Sequence, residues 1–463
     1  MRKSKGLSII IVGCGKVGVT LVEQLSREGH DITVIDRDRR LVEHMTGTYD
    51  VMGVVGNGAS YSIQKDAGIE SADIIIAVTE SDELNLLCCT VAKRVANCSA
   101  IARVRTPDYS QDVSYLRERL GLAMIFNPEL ESAREAARML SLPTALEIAS
   151  FAHGQAELVT FKIPKNNKLD GMKLWDMRSV ISADIETNVV ICAVERGDQV
   201  YIPSGNFQLQ CGDEVSFVST RKIARKFLRS IGFKTRQVRS TMIIGGGRSA
   251  YYLAQELLAM GIEVKIIEKN PARCEELCEL LPDANIINGD GTSEELLSEE
   301  GIEFAESMVA LTGIDEENIL LTLHARNVSN AKVVTKINRI NFRNAINTLD
   351  LGSVIYPRYI TSEAIVAYVR AKHNSTSSNV ETLNYICENR VEAVEFRVNE
   401  ASKVTGTMLK DLKPKMKKDI LIASIKRGGQ ILIPSGMDTI EVGDTVMVVS
   451  THSGFNDIRD ILA

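Results

Sequence analysis

The chain has 463 residues, of which 44% are hydrophobic and 25% are charged, and its formal net charge is -6. This balance is typical of a globular protein and does not predict a nucleic-acid-binding surface. No stretch reaches the roughly 18 consecutive apolar residues that a membrane-spanning helix requires, and the residues before the first predicted strand do not predict a signal peptide. The nine cysteines contain no Cys-x-x-Cys pair, which predicts reduced thiols in a cytosolic protein.

Short apolar segments alternate with amphipathic segments over the first 127 residues. The pattern predicts strands and helices in the order Leu7–Val12, helix Lys16–Arg27, Asp31–Ile35, Val51–Val55, Ile74–Val78, helix Asp82–Val95 and Ala100–Arg103. Strands alternating with helices indicate an α/β fold, specifically a Rossmann-like, doubly wound parallel sheet.

The pattern changes after a predicted helix at Pro128–Leu140. Predicted strands at Val190–Val194 and Val200–Ile202 flank the turn Arg196–Gln199, as in a β-hairpin. We therefore predict a small α+β domain behind the first parallel sheet.

The second half of the chain repeats the first. Gly13 and Gly245 are 232 positions apart, and Asp82 and Asp315 are 233 apart. A repeat of this length indicates a duplicated pair of domains rather than a solenoid. The predicted boundaries are 1–127 and 238–358 for the Rossmann-like domains, and 144–227 and 375–463 for the small domains, with a second connecting helix at Ile360–Arg370.

A glycine-rich segment lies between the first strand and the first helix, where Gly-x-Gly-x-x-Gly binds a dinucleotide pyrophosphate. Gly13 would make the tight turn, Gly15 would let the backbone approach the pyrophosphate, and Gly18 would let helix and strand pack closely. Free N–H groups at the helix N-terminus would face the phosphates. The candidate residues here are Gly13, Cys14, Gly15, Lys16, Val17 and Gly18.

Asp36 ends the second predicted strand, where a carboxylate can accept hydrogen bonds from ribose hydroxyls. Because this charge would repel a 2′-phosphate, the motif favours NAD or an adenine nucleotide over NADP. The alternative is that the glycines serve only the turn.

The second copy carries the motif with changes. Gly245 and Gly247 take the first two glycine positions, Glu268 takes the acidic position, and Ala250 replaces the third glycine. Because Arg248 and its neighbour also change the loop, we expect a weaker or different nucleotide here, or none.

Other candidate binding residues follow the later strands of each copy, at the sheet edge where such folds bind ligands. Asp82 and Asn85 could instead serve only the local helix start, and Arg103 could be a solvated surface residue. The candidates are Gly56, Asn57, Thr79, Asp82, Asn85 and Arg103 in the first copy, and Gly289, Asp290, Thr312, Asp315, Asn318 and Lys336 in the second.

Catalytic and metal-binding patterns are missing from the sequence. The six histidines share no repeat position and no metal-ligand spacing, and there is neither a Gly-x-Ser-x-Gly elbow nor a phosphate-binding Gly-Lys-Ser/Thr loop. We therefore predict a binding protein without a metal rather than an enzyme.

A basic segment separates the two halves: residues 221–239 contain eight lysines and arginines and no acidic residue. It can be a solvated helix and linker, or a patch that faces anionic lipid or an acidic partner.

Taken together, these motifs identify a family. The segment Gly13–Gly18, Asp36, Gly56, residues 79–85 and Arg103, followed by a small module ending in Gly-Asp-Glu-Val, resembles the RCK domain (regulator of potassium conductance) with its C-terminal subdomain. Two tandem units without a channel resemble the TrkA family, the peripheral subunits of Trk-type potassium uptake systems.

This resemblance implies a function. It implies a cytosolic ring on the inner face of the plasma membrane that binds NAD(H), and ATP or ADP, and gates a membrane-embedded Trk-type potassium transporter subunit. It also implies self-assembly, for which we predict a homotetramer. The alternatives are an NAD-dependent oxidoreductase and a nucleotide-sensing regulator of another cation transporter.

Overall fold

The computed structural model describes residues 6–107, 109, 112–151, 155–179, 181–182, 185, 188–233, 235–338, 349, 351–373, 380–387 and 390–463. Lys234 of the basic segment, His153 and the predicted boundary at 375 lie outside these residues. The chain divides into two compact units, one formed by 1–132 with 356–366 and the other by 133–355 with 367–463.

The first unit contains a six-stranded parallel sheet. Its strands are β1 Ser8–Val12, β2 Asp31–Asp36, β3 Met52–Val55, β4 Ile74–Ala77, β5 Ser99–Arg103 and β6 Met124–Phe126, and its helices are α1 Lys16–Arg27, α2 Arg39–Thr48, α3 Tyr61–Asp66, α4 Asp82–Val95 and α5 Val113–Leu120. The strand order β3-β2-β1-β4-β5-β6 is the Rossmann order. Every strand pair is parallel.

The apolar runs explain why these segments become central strands. Ile9, Ile10 and Ile11 are all buried, as are Ile74, Ile75 and Ile76. A parallel strand covered by helices on both faces has no solvent side, so consecutive apolar residues replace an alternating pattern. The carboxyl ends of β1 and β4 therefore lie next to a fully buried core.

A small antiparallel domain, subdomain 1, follows helix α6 Pro128–Ser141. It consists of β7 Glu147–Phe151, β8 Ala156–Lys162, β9 Val189–Arg196, β10 Gln199–Tyr201, β11 Glu214–Ser219 and helix α7 Arg221–Ser230. Its sheet order is β10-β9-β11-β8-β7, and its strand pairs are antiparallel. The predicted hairpin is present as β9 and β10.

The second parallel sheet repeats the first. Its elements are β12 Ser240–Ile244, α8 Arg248–Ala259, β13 Glu263–Glu268, α9 Pro271–Leu280, β14 Asn285–Asn288, α10 Glu294–Glu299, β15 Ser307–Ala310, α11 Asp315–Val328, β16 Lys332–Lys336 and β17 Ser353–Ile355. The order β14-β13-β12-β15-β16-β17 matches that of the first sheet.

Subdomain 2 follows helix α12 Pro357–His373. It consists of β18 Val380–Ile386, β19 Val391–Arg397, α13 Leu409–Leu412, β20 Ile420–Arg427, β21 Gln430–Leu432 and β22 Thr445–Ser450. Its sheet order is β18-β19-β22-β20-β21. The predicted fold class, two Rossmann-like domains each followed by a small α+β domain, is confirmed, whereas the exact domain boundaries stay a prediction.

The two small domains share one buried cluster within the second unit. Cys192 and Ala193 of subdomain 1 lie in it with Ala423 and Met447 of subdomain 2. At its edge, Arg390 pairs with the Glu195 carboxylate and donates to the carbonyl oxygen of Asp198 at 2.7 Å. The two small domains therefore pack on each other through apolar residues of their sheets and through the hydrogen bond and ion pair of Arg390.

Lys332, at the start of β16, links the second parallel sheet to the chain that enters subdomain 1. Its Nζ donates to the carbonyl oxygen of Ala145 and, at 2.8 Å, to Ser353 Oγ, and Ser353 Oγ donates to the carbonyl oxygen of Leu146 at 2.7 Å. Burial, followed by the nearby Arg326 charge, lowers the pKa of Lys332 from 10.5 to about 7.

This lowered pKa predicts a pH-dependent stability. Between pH 7 and 10.5 the unfolded chain holds a proton that folded Lys332 has released, so Lys332 makes the fold more stable as pH rises through that window. We expect the free energy of unfolding of wild type to rise relative to Lys332→Met from pH 7 upward, measured by urea unfolding. The exposed control Lys165→Met should track wild type, and a wild-type-to-Lys332→Met difference that is independent of pH would contradict the assignment.

Among the described residues, no helix combines the length and the apolar character that crossing a membrane requires.

Candidate nucleotide-binding sites

The glycine loop of the first copy lies where β1 ends beside β4. Gly13 has a φ of +108°, and a Cβ there would lie 3.0 Å from the backbone nitrogen of Thr79. A Cβ at Gly18 would lie 2.0 Å from the carbonyl oxygen of Gly13. The turn and the close packing of helix on strand therefore require both glycines, as the motif predicts.

Gly15 is different, because the local structure does not require a glycine there. Its φ is -74°, and a Cβ would meet no atom within 4 Å. Turn geometry thus accounts for Gly13 and Gly18 but leaves Gly15 unexplained. The space in front of Gly15 is open, which is the room that a pyrophosphate against the backbone needs.

Helix α1 begins at this open space without a cap. Gly15 is its N-cap and supplies no side-chain hydrogen bond, and its first turn contains no acidic residue. By contrast, the Asp38 side chain caps α2 and Ser81 caps α4, whose first turn is acidic. The free N–H groups and the positive dipole end of α1 are therefore left for an anion.

Asp36 holds the loop from the end of β2. One carboxylate oxygen accepts from the backbone N–H of Cys14 at 2.7 Å, and the other accepts from the N–H of Asp38 at 2.9 Å. A carboxylate offers about four lone-pair positions, so acceptor capacity remains for ribose hydroxyls. Asp36 thus both shapes the loop and carries the charge that faces the candidate site.

The second copy reproduces this arrangement. Gly245 has a φ of +98°, and a Cβ at Gly247 would meet no atom within 4 Å. Gly247 is the N-cap of α8, which has no side-chain cap and no acidic residue in its first turn. Glu268 accepts from the N–H of Gly246 at 2.6 Å and of Asn270 at 2.7 Å. Ala250, which replaces the third glycine, is fully buried.

One arginine in the second copy was not singled out from the sequence. Arg273 Nε donates to the carbonyl oxygen of Gly246 at 2.7 Å, and its Nη1 lies 2.6 Å from a carboxylate oxygen of Glu276. The first copy has Leu41 at the corresponding position. In the sequence, the feature that could have indicated this contact is a basic residue in the first turn of α9. The second loop therefore contacts an arginine at a position where the first copy has a leucine.

Asn85 and Thr79 form a buried clamp. Asn85 Oδ1 accepts from the N–H of Thr79 at 2.8 Å, and Asn85 Nδ2 donates to the carbonyl oxygens of Thr79 and Arg103 at 3.1 and 2.9 Å. The same bonds join Asn318 to Thr312 and Lys336. Because both asparagines are fully buried, they position the loops after two strands.

Asp82 has a similar local role. Its Oδ2 accepts from the N–H groups of Arg105 and Thr106 and from Thr106 Oγ1. Burial raises the pKa of this carboxyl, but these hydrogen bonds and the Arg105 charge outweigh burial and hold the pKa below its usual value. Asp315 accepts correspondingly from the backbone and side-chain nitrogens of Asn338.

Arg103 lies at the end of β5. Its Nη2 donates to the carbonyl oxygen of Thr79, while its Nε is buried without a hydrogen-bond partner. Burial, followed by the Arg105 charge, lowers the pKa of Arg103 to about 10, so the side chain stays charged at neutral pH. Lys336 Nζ donates at 2.9 Å to the carbonyl oxygen of Leu311 in the second copy.

The loops after β3 and β14 are shaped by packing and by short turns. A Cβ at Gly56 would lie 2.5 Å from Ile63, and one at Gly289 would lie 2.5 Å from Leu296. The exposed side chains of Asn57 and Asp290 each accept from a backbone N–H two residues further on. Both loops begin beside the acidic strand ends, because Gly56 N donates to the carbonyl oxygen of Asp36 and Gly289 N to that of Glu268.

The structure therefore groups the predicted residues in two ways. At each sheet edge the glycine loop, the acidic residue at the strand end, the threonine and the basic residue lie together. The buried Asn85 and Asp82 of the first copy, and Asn318 and Asp315 of the second, hold the neighbouring loops in place by hydrogen bonds. Direct contact of any of these residues with a nucleotide stays a prediction.

Two Rossmann-like domains with uncapped glycine loops, each followed by a small antiparallel domain, define a tandem pair of RCK-type units. Family models agree: the TrkA-N domain matches residues 9–128 and 241–357, and the TrkA-C domain matches 158–232 and 393–463. The chain belongs to the TrkA family.

Two relatives match nearly the whole chain. A Trk system potassium uptake protein TrkA homolog of Archaeoglobus fulgidus is 32% identical and covers 98% of this chain and 100% of its own length. The Trk system potassium uptake protein TrkA of Halomonas elongata is 31% identical and covers 96% and 95%.

Solved structures share the fold. The GsuK channel superposes with a TM-score of 0.63 at 18% identity, covering 97% of this chain and 78% of its own. The GsuK channel bound to NAD gives a TM-score of 0.61 at 18% identity, with the same coverage.

Proposed function

We propose that this chain is the regulatory, nucleotide-binding subunit of a potassium uptake system and gates a membrane-embedded Trk-type transporter subunit. The observation that carries the proposal is the pair of uncapped helices, α1 and α8, each with open space before its second glycine and an acidic residue at the adjacent strand end. The relatives are named Trk system potassium uptake proteins, which supports the choice of a potassium uptake system.

NAD(H) is the first candidate ligand, and ATP or ADP is the second. The open backbone at Gly15, the free N–H groups of α1 and the charge of Arg103 suit phosphates, and Asp36 suits an unphosphorylated ribose. Solved relatives of this fold are described as GsuK bound to NAD and GsuK bound to ADP, which supports both classes.

A regulatory role follows from what such a site can do without catalytic partners. A nucleotide shifts the equilibrium between two conformations only by the difference in its affinity for them, typically about 1–3 kcal/mol per coupled site. Two sites in each chain of a homotetramer would give eight such contributions around one ring. We place this ring at the cytosolic face of the plasma membrane, against the transporter subunit.

The ligand assignment is tested by Asp36→Ala. Hydrogen bonds to a charged group contribute about 1.5–3 kcal/mol, so the affinity for NAD should fall at least about tenfold. Isothermal titration of the full chain with NAD, NADH, ATP and ADP measures this. Asp38→Ala is the matched control, because it removes a neighbouring charge that caps α2 and does not contact the glycine loop. Equal affinities in wild type and Asp36→Ala would refute the ribose assignment.

Gating is tested with the purified chain and a Trk-type membrane subunit in liposomes. We expect the chain to bind the subunit in detergent and to make potassium flux depend on at least one of the four nucleotides. Failure of both binding and flux control would overturn the proposal. Turnover of NAD or NADH by the chain alone would instead favour an oxidoreductase.

A further inference from the structure

Three arginines converge on one carboxylate where helix α6 ends against subdomain 1. Glu157 of β8 is buried, with 6% of its surface exposed, and Arg221 Nε lies 3.8 Å from its Oε1. Burial raises the pKa of Glu157, and the charges of Arg221, Arg138 and Arg225 act in the opposite direction. Arg221 Nη2 donates to Ser141 Oγ at 3.1 Å, and Arg225 Nη2 donates to the carbonyl oxygen of Ser141 at 3.2 Å.

The charges in this cluster do not balance. Among the described residues, Glu157 is the carboxylate that interacts with these three guanidinium groups, and the C-terminal end of α6 adds the equivalent of about half a negative charge. The Nε atoms of Arg138 and Arg225 are also buried without a hydrogen-bond partner. Buried donors are costly unless a partner compensates them.

The second copy supplies an internal comparison. Arg370 and Glu392 stand at the positions of Arg138 and Glu157, and they form a closed bidentate pair with distances of 3.0 and 3.1 Å. There His452 and Asn456 replace Arg221 and Arg225. The second cluster therefore has one arginine for one carboxylate and needs no further anion.

We propose that the first cluster is a binding site for a phosphate-type oxyanion, held by Arg138, Arg221 and Arg225. Planar guanidinium groups bind phosphate oxygens with paired hydrogen bonds, and the two unpartnered Nε–H groups supply donors. Arg221 is half-exposed, which gives the anion a path from solvent. The phosphoryl group can come from inorganic phosphate or from a nucleotide.

The site lies between the last turn of α6 and the first two turns of α7. An anion there would join the connecting helix of the first copy to the last helix of its small domain. The first two arginines of the basic segment 221–239, Arg221 and Arg225, would thus bind an oxyanion, and the segment would not be only a solvated patch.

The proposal is tested in the full chain carrying Gly15→Val and Gly247→Val, which remove the two glycine-loop sites as alternative phosphate binders. Isothermal titration with inorganic phosphate, and separately with ATP, should detect one site per chain. Arg225→Gln should weaken binding at least about tenfold, because it removes charge-assisted hydrogen bonds. Lys222→Gln, an exposed change of the same charge on the same helix, should have no effect.

Glu157→Gln gives a second, opposite readout. Because Glu157 competes with the anion for the arginines, its neutralisation should tighten phosphate binding, an outcome that misfolding cannot produce. Tighter binding of ATP than of inorganic phosphate, lost in Arg225→Gln, would identify a nucleotide as the source. Absence of binding by either probe at millimolar concentration, or equal affinities in Arg225→Gln and Lys222→Gln, would overturn the proposal.

Discussion

Gly15→Val is expected to abolish nucleotide binding at the first site while the chain stays folded. A pyrophosphate above the loop would receive at least two hydrogen bonds from the N-terminus of α1, each contributing about 1.5–3 kcal/mol because the acceptor is charged. A valine side chain would occupy that space, so the affinity should fall by about a hundredfold or more.

The structure separates this loss of binding from loss of fold. A Cβ at Gly15 meets no atom within 4 Å and φ is -74°, so the backbone accepts a side chain here without strain and its Cβ without a clash. Gly47→Val is the matched control, because Gly47 is exposed, lies within α2, and a Cβ there would also meet no atom within 4 Å outside its own helix backbone. Circular dichroism should give the same spectrum for wild type and both variants.

The second copy allows the two sites to be counted. Gly247→Val should remove binding at the second loop in the same way, since its geometry matches that of Gly15. Titration of each single variant and of the double variant then assigns every nucleotide to its site. Full NAD affinity and stoichiometry in Gly15→Val would rule out the first loop as the pyrophosphate site.

Local sequence patterns predicted the large elements of this fold well. The expected helix Lys16–Arg27 and the expected helix Asp82–Val95 have the observed bounds, because both are long and periodic. The strand β6, which has only three residues, and helix α2 were not predicted. An edge strand of that length carries too few residues for a periodic signal, and α2 buries two residues, Val42 and Met45, which is a short apolar pattern for a helix.

The candidate site was predicted in composition but not in the division of roles. Sequence spacing placed Asp36 and Asn85 at the same sheet edge, yet only the hydrogen bonds distinguish an aspartate with spare acceptor capacity from a buried asparagine that clamps two loops. The cluster of Arg138, Arg221 and Arg225 around Glu157 joins residues far apart in the chain, so no local pattern could predict it.

Repeat comparison recovers part of what local patterns miss. The correspondence of Arg138 with Arg370 and of Glu157 with Glu392 is visible in the sequence once the register is known. In the second copy Arg370 and Glu392 form a bidentate pair, and the other two arginines are replaced. Phe161 and its counterpart in the second copy, Phe396, are both phenylalanines, but the residues packed around them differ.

Phe161→Ala is expected to produce the largest loss of stability of any single substitution considered in this chain. Phe161 is fully buried in subdomain 1, and its ring centroid lies 5.9 Å from Phe217, 6.2 Å from Phe227 and 5.3 Å from Phe233. Truncation of a buried phenylalanine costs about 3–5 kcal/mol, through lost burial and the cavity left behind.

The counterpart in the second copy should lose less. Phe396 is also fully buried, but Val448 and Ile458 stand at the positions of Phe217 and Phe227. Aromatic pairs add about 0.5–1.5 kcal/mol beyond burial, so Phe161→Ala should cost more than Phe396→Ala. Guanidinium unfolding followed by circular dichroism measures both, and the fluorescence of Trp175, the single tryptophan, reports subdomain 1. Phe304→Ala, at a side chain that is 89% exposed, is the control, and a Phe161→Ala variant as stable as this control would contradict the proposed core.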